Sequence, residues 1–570
     1  MPREKRIASV GAPSYNPAPV AEKIELADDL SASPLWNADI APTPLAKRTW
    51  NLWHIAALWI GMAVCIPTYM LGAGLLASGM TWWQAVVTIT LGNLIVLVPM
   101  ALNAHAGAKY GIPFPVFLRA PFGTVGSNIP ALMRATVACG WFGIQTWIGG
   151  AALYQLAAVM APSIAGSTFW KFAFFFLFWG INLFFILKGT ESIKWLETWS
   201  APILLAVGVG LLAWSMSAGG GLGRVLAHSD NFTRPTVTAH LQDGKVVPQL
   251  SPVTIDGVPR ATAKWESDGR TITAVFDDGD GGAKPQTVTA PVAAAPPAPP
   301  TFWALFIPGL TAMVGFWATL ALNIPDFTRF ARSQRDQAVG QLLGLPTTMG
   351  FYSFVGIVST CAALVVFPDI LVTSQAPWDP TSLLARFKNP ALVIGSMFFL
   401  AIATLTTNIA ANVVSPANDL ANLAPKHISF QTGGIITAVI GIVMMPWKLL
   451  ESTDVYIFNW LISYSALLGP IAGIMIADYW IVRRRELSLR DLYLRDGRYG
   501  FIHWATVAIL VAAILPNVPG FLSKVAGVAV PAFWTGLFNY AWFVGFAVAF
   551  VLYCAYGLWK RTETTSTASG

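Results

Sequence analysis

The chain has 570 residues, of which 55% are hydrophobic and only 11% are charged. Soluble globular chains carry roughly 25% charged residues, so this composition excludes a soluble enzyme and a disordered scaffold and predicts a membrane protein. The formal net charge is nevertheless +7. Where the 35 Lys and Arg residues lie therefore decides whether the basic balance means nucleic-acid binding or membrane topology.

Twelve apolar segments are long enough to cross a hydrocarbon core of about 30 Å, which takes about 20 helical residues. The segments are 52–78, 82–102, 129–160, 169–187, 200–217, 301–323, 345–367, 391–414, 431–447, 456–482, 503–518 and 532–556. The first 47 residues are polar and Pro-rich without an apolar core, so we expect no cleavable signal peptide there. The expected fold class is an all-α polytopic membrane protein with twelve transmembrane helices.

The cations are unevenly divided between the two sides of these spans. The side that carries both termini holds 23 Lys and Arg, the opposite short loops hold five, and seven lie in one long insertion at 219–300. Excess Lys and Arg marks the cytoplasmic side of a membrane protein. We therefore expect both termini in the cytoplasm, a location in the cell membrane, and no nucleic-acid partner.

The insertion 219–300 is the one break in composition, and it ends in a Pro- and Ala-rich tether. Thr271–Phe276 alternates as a strand does, and Asp-Gly pairs at 256–257 and 268–269 indicate hairpin turns. We expect this segment outside the cell between spans five and six, either as a small β module or as a disordered loop.

Ionisable residues are absent from the middle of every predicted span. Such residues are costly inside a bilayer and mark catalysis or proton relays. Their absence disfavours a membrane-embedded hydrolase and a carboxylate-driven pump, and we expect no catalytic residue and no cofactor.

Neutral polar residues do occur at mid-span. Trp141 and Gln145 are four residues apart in span three, and Asn408 and Asn412 repeat this spacing in span eight. Residues four apart share one face of a helix. Each could serve in helix–helix contact, but the combination of an indole and amides on two helices favours a binding site.

A repeat links the two halves of the chain. Span one contains W-x3-A-x2-I-P from Trp59 to Pro67, and span six contains the same pattern from Trp317 to Pro325. Proline removes a backbone hydrogen bond from a helix. Interrupted helices in corresponding positions of two halves point to the midplane binding site of a secondary transporter.

Taken together, these residues resemble the nucleobase–cation symporter-1 family, which transports nucleobases, hydantoins, allantoin and some vitamins. The matching motifs lie at 37–43, 48–50, 111–116, 141–147, 323–329, 407–416 and 468–479. The resemblance covers about 37–220 and 301–500. The insertion is a departure, since the corresponding loop is typically short in the family.

The resemblance implies the LeuT-like fold of two inverted five-helix repeats, with broken helices one and six and two further C-terminal helices. It divides the chain into a cytoplasmic tail (1–50), a first repeat (51–218), the insertion (219–300), a second repeat (301–482), a basic cytoplasmic loop (483–502), helices eleven and twelve (503–558) and a cytoplasmic tail (559–570).

The resemblance also implies a substrate site. Carried over by motif, Trp141 and Trp317 would enclose a flat ring, and Gln145 and Asn412 would hydrogen-bond its edge. Cys65 stands where some relatives have a polar side chain, so it is expected to bear on substrate selection.

The implied cation site lies between helices one and eight. Its ligands would be the carbonyl oxygens of Gly61, Val64 and Ala403 and the hydroxyl groups of Thr406 and Thr407. All five are neutral oxygens and no carboxylate lies nearby, which favours Na⁺ over H⁺ as the coupling cation, although some relatives are proton-coupled. Leu461 on span ten matches the position of the family's gate.

We therefore expect a secondary active transporter that imports a neutral planar heterocycle, such as allantoin, uracil, cytosine or hydantoin, by cation symport. Three alternatives remain at this stage: a thiamine-like vitamin permease, an amino-acid transporter on the same fold, and a sensor that uses the insertion. The expected partners are a small heterocycle and the lipid bilayer, and no oligomeric state follows from the sequence.

Overall fold

The computed structural model describes residues 23–449 and 459–568, except for 189, 228, 230–235, 243–244, 252–253, 256–257, 260–261, 269, 278–285, 294–300, 368–382, 385 and 388. The N-terminal cations at 3–6, the turn residues 256, 257 and 269, most of the Pro-rich tether and the start of predicted span ten lie outside the described residues.

The described chain is mainly helical, and each of the twelve predicted spans contains helix. The helices are α1 Leu52–Ala63, α2 Ile66–Ala77, α3 Trp82–Tyr110, α4 Phe114–Phe117, α5 Arg119–Phe122, α6 Asn128–Met160, α7 Thr168–Lys188, α8 Thr190–Ala218, α9 Leu222–Ala227, α10 Phe302–Phe316, α11 Ala318–Asn323, α12 Pro325–Thr328, α13 Gln334–Val366, α14 Pro390–Asn412, α15 Val414–Leu423, α16 Phe430–Val443, α17 Pro446–Leu449, α18 Ile462–Ile476, α19 Trp504–Ile514, α20 Val518–Ala526, α21 Ala532–Phe538 and α22 Ala541–Ala568. A π-helical turn, Ala477–Val482, extends α18.

Eight helical segments in the described residues are long and apolar enough to cross a membrane, and the bent pair α1–α2 makes a ninth. Two further apolar helices, α10 and α16, are shorter, and α6 has 33 residues. Large apolar side chains such as Val98, Phe184 and Val551 are more than half exposed on these helices. In a membrane protein such apolar side chains face lipid, which is itself apolar. The helix can lie there because its backbone polar groups are satisfied internally.

The first span is broken, as the sequence predicts. Helix α1 ends at Ala63, Val64 leaves the helical region with ψ 77°, and Cys65 is fully extended before α2 begins. Pro67 lies in the first turn of α2, where its missing N–H removes no helical bond. The two helices are bent by 57°.

The sixth span is also broken, at two points of the repeated motif. Helix α10 ends at Phe316, and Trp317 (φ −104°, ψ 9°) separates it from α11. One interruption therefore falls on Trp317, the first residue of the motif, and another on Ile324, directly before Pro325, as the motif predicts. The two tryptophans of the motif meet at the centre of the protein, where the rings of Trp59 and Trp317 pack edge to face with centroids 5.2 Å apart.

Helix packing relates the two halves. Helix α1 of the first half packs against α13 of the second, and α10 of the second half packs against α3 of the first. Helices α6 and α14, the third and eighth spans, pack along each other. This exchange of equivalent partners is what an inverted five-plus-five repeat requires.

The insertion contains a five-stranded sheet in the order β2-β1-β7-β6-β5 and a two-stranded sheet formed by β3 and β4. The strands are β1 Thr236–Gln242, β2 Lys245–Ser251, β3 Thr254–Ile255, β4 Val258–Pro259, β5 Thr262–Ser267, β6 Thr271–Asp277 and β7 Gln286–Ala293. Strands β5 and β6 pair antiparallel, with Ser267 opposite Ile272. Backbone hydrogen bonds from Arg270 and Thr271 lower the pKa of Asp268 at this turn.

The segment 23–50 crosses one end of the helical bundle and joins several of its parts. Arg48 donates to backbone carbonyls of Thr43 and Ile24 within this segment and of Ala108 at the end of α3. The backbone of Trp50 pairs with Phe330 and Arg332 beyond α12. The connection after α3, the turn after α12 and the basic loop 483–502 therefore lie on the same face as the N-terminal segment.

Arg119 links this face together from a fully buried position in α5. Its guanidinium donates to Asn422 Oδ1 at 3.0 Å, to the Leu492 carbonyl at 2.9 Å and to the Leu35 carbonyl at 3.1 Å. Burial lowers the pKa of Arg119 to about 10, so the group stays charged at neutral pH. Its planar fork reaches three partners in different directions, which an ammonium group cannot copy.

We predict that Arg119→Lys lowers the free energy of unfolding by on the order of 3 kcal/mol, because charged hydrogen bonds to buried acceptors are lost. The midpoint of thermal unfolding, followed by tryptophan fluorescence in detergent, measures this loss. Arg495→Lys, at an exposed position of the same face, is the matched control and should leave the midpoint unchanged. Equal midpoints for the two variants would contradict the structural role of Arg119.

Candidate functional site

A small cavity lies where the two helix breaks meet α6 and α14. Its lining residues are Met62, Cys65, Trp141, Gln145, Phe316, Trp317, Thr319, Leu320, Thr407, Ala411 and Asn412. Its volume is about 20 Å³, which holds about one water molecule. A heterocycle can therefore enter only if the walls of the cavity separate.

All five residues predicted to bind substrate line this cavity: Cys65, Trp141, Gln145, Trp317 and Asn412. They come from four different spans (the first, third, sixth and eighth) that are far apart in the sequence. The structure thus brings the set together, and its role in binding stays a prediction.

The aromatic walls include a residue that the sequence analysis missed. The ring of Phe316 stands edge to face with Trp141 at 5.3 Å and with Trp317 at 4.9 Å between centroids. The Phe316 ring therefore occupies space between Trp141 and Trp317, which were predicted to enclose a flat ring. Its place next to Trp317 at the end of α10 was the available signal, but an apolar residue in an apolar span does not stand out.

Two polar atoms of the lining residues are buried without a hydrogen-bond partner in the described part of the chain: Gln145 Oε1 and Trp317 Nε1. Buried polar groups in native proteins are nearly always hydrogen-bonded, so unpaired ones need an explanation. One is an acceptor and the other a donor. Together they can bind a ligand that offers both an N–H and a carbonyl group.

Asn412 is held by its neighbour one turn earlier. Its Nδ2 donates to Asn408 Oδ1 at 3.1 Å. Asn408 in turn donates to Thr146 Oγ1 and to Asn182 Oδ1, both at 3.1 Å. Asn408 therefore joins α14 to α6 and α7, as the helix-contact interpretation proposed, and it fixes the orientation of the Asn412 amide.

The predicted cation ligands converge on the hydroxyl group of Thr407. Its Oγ1 lies 3.2 Å from the Gly61 carbonyl, 3.3 Å from the Met62 carbonyl and 2.9 Å from the Ala403 carbonyl. Thr406 Oγ1 also reaches the Ala403 carbonyl at 2.9 Å. These oxygens belong to the interrupted end of α1 and to the facing turn of α14.

Two details differ from the predicted ligand set. The carbonyl of Met62 lies within this group although the sequence analysis did not include it. Val64 is the first residue after the end of α1, so it belongs to the break but not to the contacts of the Thr407 hydroxyl. No cluster of three or more His, Cys, Asp or Glu that could hold a metal ion occurs among the described residues.

Leu461, the predicted gate residue, is fully buried one residue before α18. It does not line the cavity; its backbone lies against the break in the sixth span. A Cβ atom on Gly315 would lie 2.8 Å from the Leu461 carbonyl oxygen. Its function as a gate stays a prediction.

A second group of buried polar side chains lies where α11 and α12 meet α15. Ser415 accepts a hydrogen bond from Asn323 and donates one to Asp326. Asp326 Oδ1 also accepts from the backbone N–H of Phe114 at 3.0 Å. These bonds join α11 and α12 to α15 and to the start of α4.

Two discontinuous helices that enclose a small neutral cavity at the centre of an inverted repeat define a secondary membrane transporter, not an enzyme. A model of the family described as permease for cytosine/purines, uracil, thiamine and allantoin matches residues 42–242 and 282–545. The chain belongs to this family, and the family assignment predicted from its motifs is confirmed.

Two relatives cover most of the chain. It is 39% identical to the purine-uracil permease NCS1 of Arabidopsis thaliana over 87% of this chain and 73% of that protein. It is 37% identical to the allantoin permease of Bacillus subtilis over 91% of this chain and 92% of that protein.

The fold is shared with a solved transporter. Mhp1, a nucleobase-cation-symport-1 family transporter in a closed conformation with bromovinylhydantoin bound, superimposes with a TM-score of 0.66 at 24% identity, covering 93% of this chain and 96% of that chain. At this identity the similarity shows the fold. It confirms the predicted all-α architecture with an inverted repeat.

We predict that Thr407→Val, which keeps the shape of the side chain but removes its hydroxyl, raises the cation concentration for half-maximal uptake at least roughly tenfold, since one oxygen ligand and the link to α1 are lost. Uptake measured against a Na⁺ titration tests this. Thr404→Val is the matched control, because the Thr404 hydroxyl bonds only within its own helix, to the Leu400 carbonyl at 2.8 Å. Identical titrations for both variants would exclude Thr407 from the cation site.

Proposed function

We propose that this protein imports a neutral planar heterocycle by cation symport, with allantoin and uracil as the first candidates. The observation that carries the proposal is the neutral cavity, which presents the unpaired Gln145 oxygen and Trp317 indole N–H beside aromatic rings. A cyclic –NH–CO– edge offers the complementary donor and acceptor.

Recognition without ionised groups suits this substrate class. Aromatic side chains bind flat rings by stacking, worth roughly 1–3 kcal/mol for each nucleic-acid base. The cavity lining contains no charged side chain among its eleven residues, so a zwitterionic amino acid or a thiamine-like cation finds no counter-charge. The neutral lining therefore favours a heterocyclic amide over both alternatives.

Coupling follows from the position of Thr407, which lines the cavity and also binds the carbonyl oxygens at the end of α1. A cation that replaces the hydroxyl contact would hold α1 against α14 and so set one wall of the cavity. Each ligand then strengthens binding of the other by the same factor. The neutral oxygen ligands favour Na⁺, since unwound backbone carbonyls serve this purpose in other broken-helix transporters.

The choice of first candidates rests on the relatives. The purine-uracil and allantoin permeases are similar to this chain over 87% and 91% of its length. Hydantoin stays in the set because a hydantoin permease of Microbacterium maritypicum is 27% identical over 85% of this chain.

We further propose that the face bearing segment 23–50 is cytoplasmic and that the protein lies in the cell membrane. This face carries Arg48, Arg119 and the basic loop 483–502, and positive residues mark the cytoplasmic side. Both termini then lie in the cytoplasm, and the sheet of the insertion lies outside.

We predict saturable uptake of radiolabelled allantoin or uracil in cells that express the protein, increased by an inward Na⁺ gradient. Cytosine, hydantoin and thiamine complete the panel, and a proton gradient is the parallel arm. Gln145→Leu should weaken binding of the accepted substrate by about 1–3 kcal/mol, because a buried amide edge loses its partner.

Gln341→Leu is the matched control for this experiment, since Gln341 is a buried glutamine on α13 outside the cavity. It should leave the apparent affinity unchanged. Accumulation of no tested heterocycle, or uptake that ignores both gradients, would refute the proposed symport. Preferential uptake of thiamine would instead assign the vitamin alternative.

We predict that replacing 219–300 by a short Gly-Ser linker leaves uptake at least half of the wild-type rate, because the cavity draws no residue from the insertion. Uptake rates normalised to the amount of protein at the membrane provide the measurement. Loss of uptake with normal membrane insertion would show that the sheet takes part in transport and would revive the sensor interpretation.

A further inference from the structure

Tyr464 lies on α18, directly behind the aromatic wall of the cavity, and its side chain is buried. Its hydroxyl accepts a hydrogen bond from Trp141 Nε1 at 3.3 Å and donates one to the Gly315 carbonyl at 2.8 Å. One hydroxyl group thus joins three spans: the third, the sixth and the tenth.

The two partners belong to different helices around the cavity. Trp141 lines it from α6, and Gly315 immediately precedes Phe316 and Trp317, where α10 ends. Carbonyl groups in the last turn of a helix lack their usual partner four residues later. The Tyr464 hydroxyl supplies a partner at this point, so it holds the orientation of the Trp141 ring and the geometry of the break at the same time.

The two residues before α18, Trp460 and Leu461, are also in close contact with α6 and α10. A Cβ atom on Gly315 would lie 2.8 Å from the Leu461 carbonyl oxygen, and one on Gly140 would lie 2.7 Å from the Trp460 ring. The Trp460 ring packs edge to face with Tyr464 at 5.2 Å between centroids. With α18 packed this closely, a movement of α18 away from α6 and α10 would break the two Tyr464 hydrogen bonds.

We propose that Tyr464 is a positioning residue for transport: its hydroxyl couples the position of α18 to the arrangement of the aromatic walls. The closed position of α18 and a correctly shaped substrate cavity then form together. Substrate between the walls stabilises the closed α18, and the closed α18 in return strengthens substrate binding. This inference rests on the proposed function for the identity of its substrate. The coupling of α18 to the cavity can nevertheless be measured without any substrate.

The test is Tyr464→Phe, which removes one oxygen and keeps the ring that packs on Trp460. With allantoin and uracil as probes, we expect a roughly tenfold higher Kd, measured by quenching of tryptophan fluorescence on purified protein. In uptake, the increase should fall on KM, and the maximal rate per folded molecule should change by less than about twofold.

The second measurement is alkylation of Cys65, which lines the cavity and is fully buried. A soluble thiol reagent reaches it only when the walls open. We expect Tyr464→Phe to raise the rate of Cys65 modification roughly tenfold. The two hydrogen bonds of the wild-type hydroxyl stabilise the closed state, and the variant lacks both. Mass spectrometry of the individual peptides separates Cys65 from Cys139, Cys361 and Cys554, which should keep their rates.

Tyr154→Phe is the matched control. Tyr154 is a buried tyrosine on the same helix as Trp141, about 20 Å along its axis, and its hydroxyl donates to the Ile164 carbonyl at 3.2 Å. It loses one hydrogen bond outside the cavity. It should leave Kd, KM and the Cys65 rate unchanged.

The outcomes separate this inference from the proposed function. If the wild-type protein binds neither probe while Tyr464→Phe still accelerates Cys65 modification, the substrate assignment fails and the coupling stands. If wild-type binding is observed but Tyr464→Phe matches the wild type in both Kd and Cys65 rate, the coupling is refuted. Equal changes in Tyr464→Phe and Tyr154→Phe would reduce Tyr464 to general stability and would also overturn it.

Discussion

The structure depends on the requirement that interrupted backbone inside a membrane must find polar partners. Helix α1 stops at Ala63, and its last carbonyl groups turn toward the Thr407 hydroxyl on α14. The hydrocarbon core of the bilayer contains no hydrogen-bond donor for these carbonyl groups. The break is therefore stable only where another helix supplies a polar partner. The same demand at the end of α10 is met by Tyr464. Both breaks thereby become the points at which separate helices are tied to one cavity.

This arrangement explains why the site contains so little charge. Carbonyl, hydroxyl and amide groups are available at a helix break without the desolvation cost of an ion, and they suffice for a hard cation and an amide ring. Charge is instead concentrated at the face of segment 23–50. There Arg119, Arg48 and the Asp326–Ser415 contact hold the bundle closed. The neutral centre and the charged end perform different tasks: the first recognises a ligand, and the second fixes the connections between helices.

Much of the architecture was predictable because membrane helices carry a strong signal. Each apolar segment of about 20 residues contains helix, and the bend at residues 64–65 lies two residues before Pro67, as the repeated motif indicates. The sixth span was placed less completely: its helix stops directly before Pro325, as the motif indicates, but also at Trp317, eight residues earlier, where the motif predicts no break. Phe316 was missed for a related reason. A phenylalanine in an apolar span carries no sequence signal until the fold sets it between two tryptophans.

The opening composition, with 11% charged residues, determined by itself that the chain is a membrane protein. The resemblance of its motifs to the symporter family then identified the family and implied several of the residues that line the cavity. Only the tertiary structure decided which of those polar groups are already paired. Asn408 is used in helix contacts, whereas Gln145 Oε1 and Trp317 Nε1 are unpartnered. It also decided that Met62 and Phe316 line the cavity. The physical reason is that hydrogen-bond pairing depends on distances between helices that are hundreds of residues apart, and no local pattern encodes them.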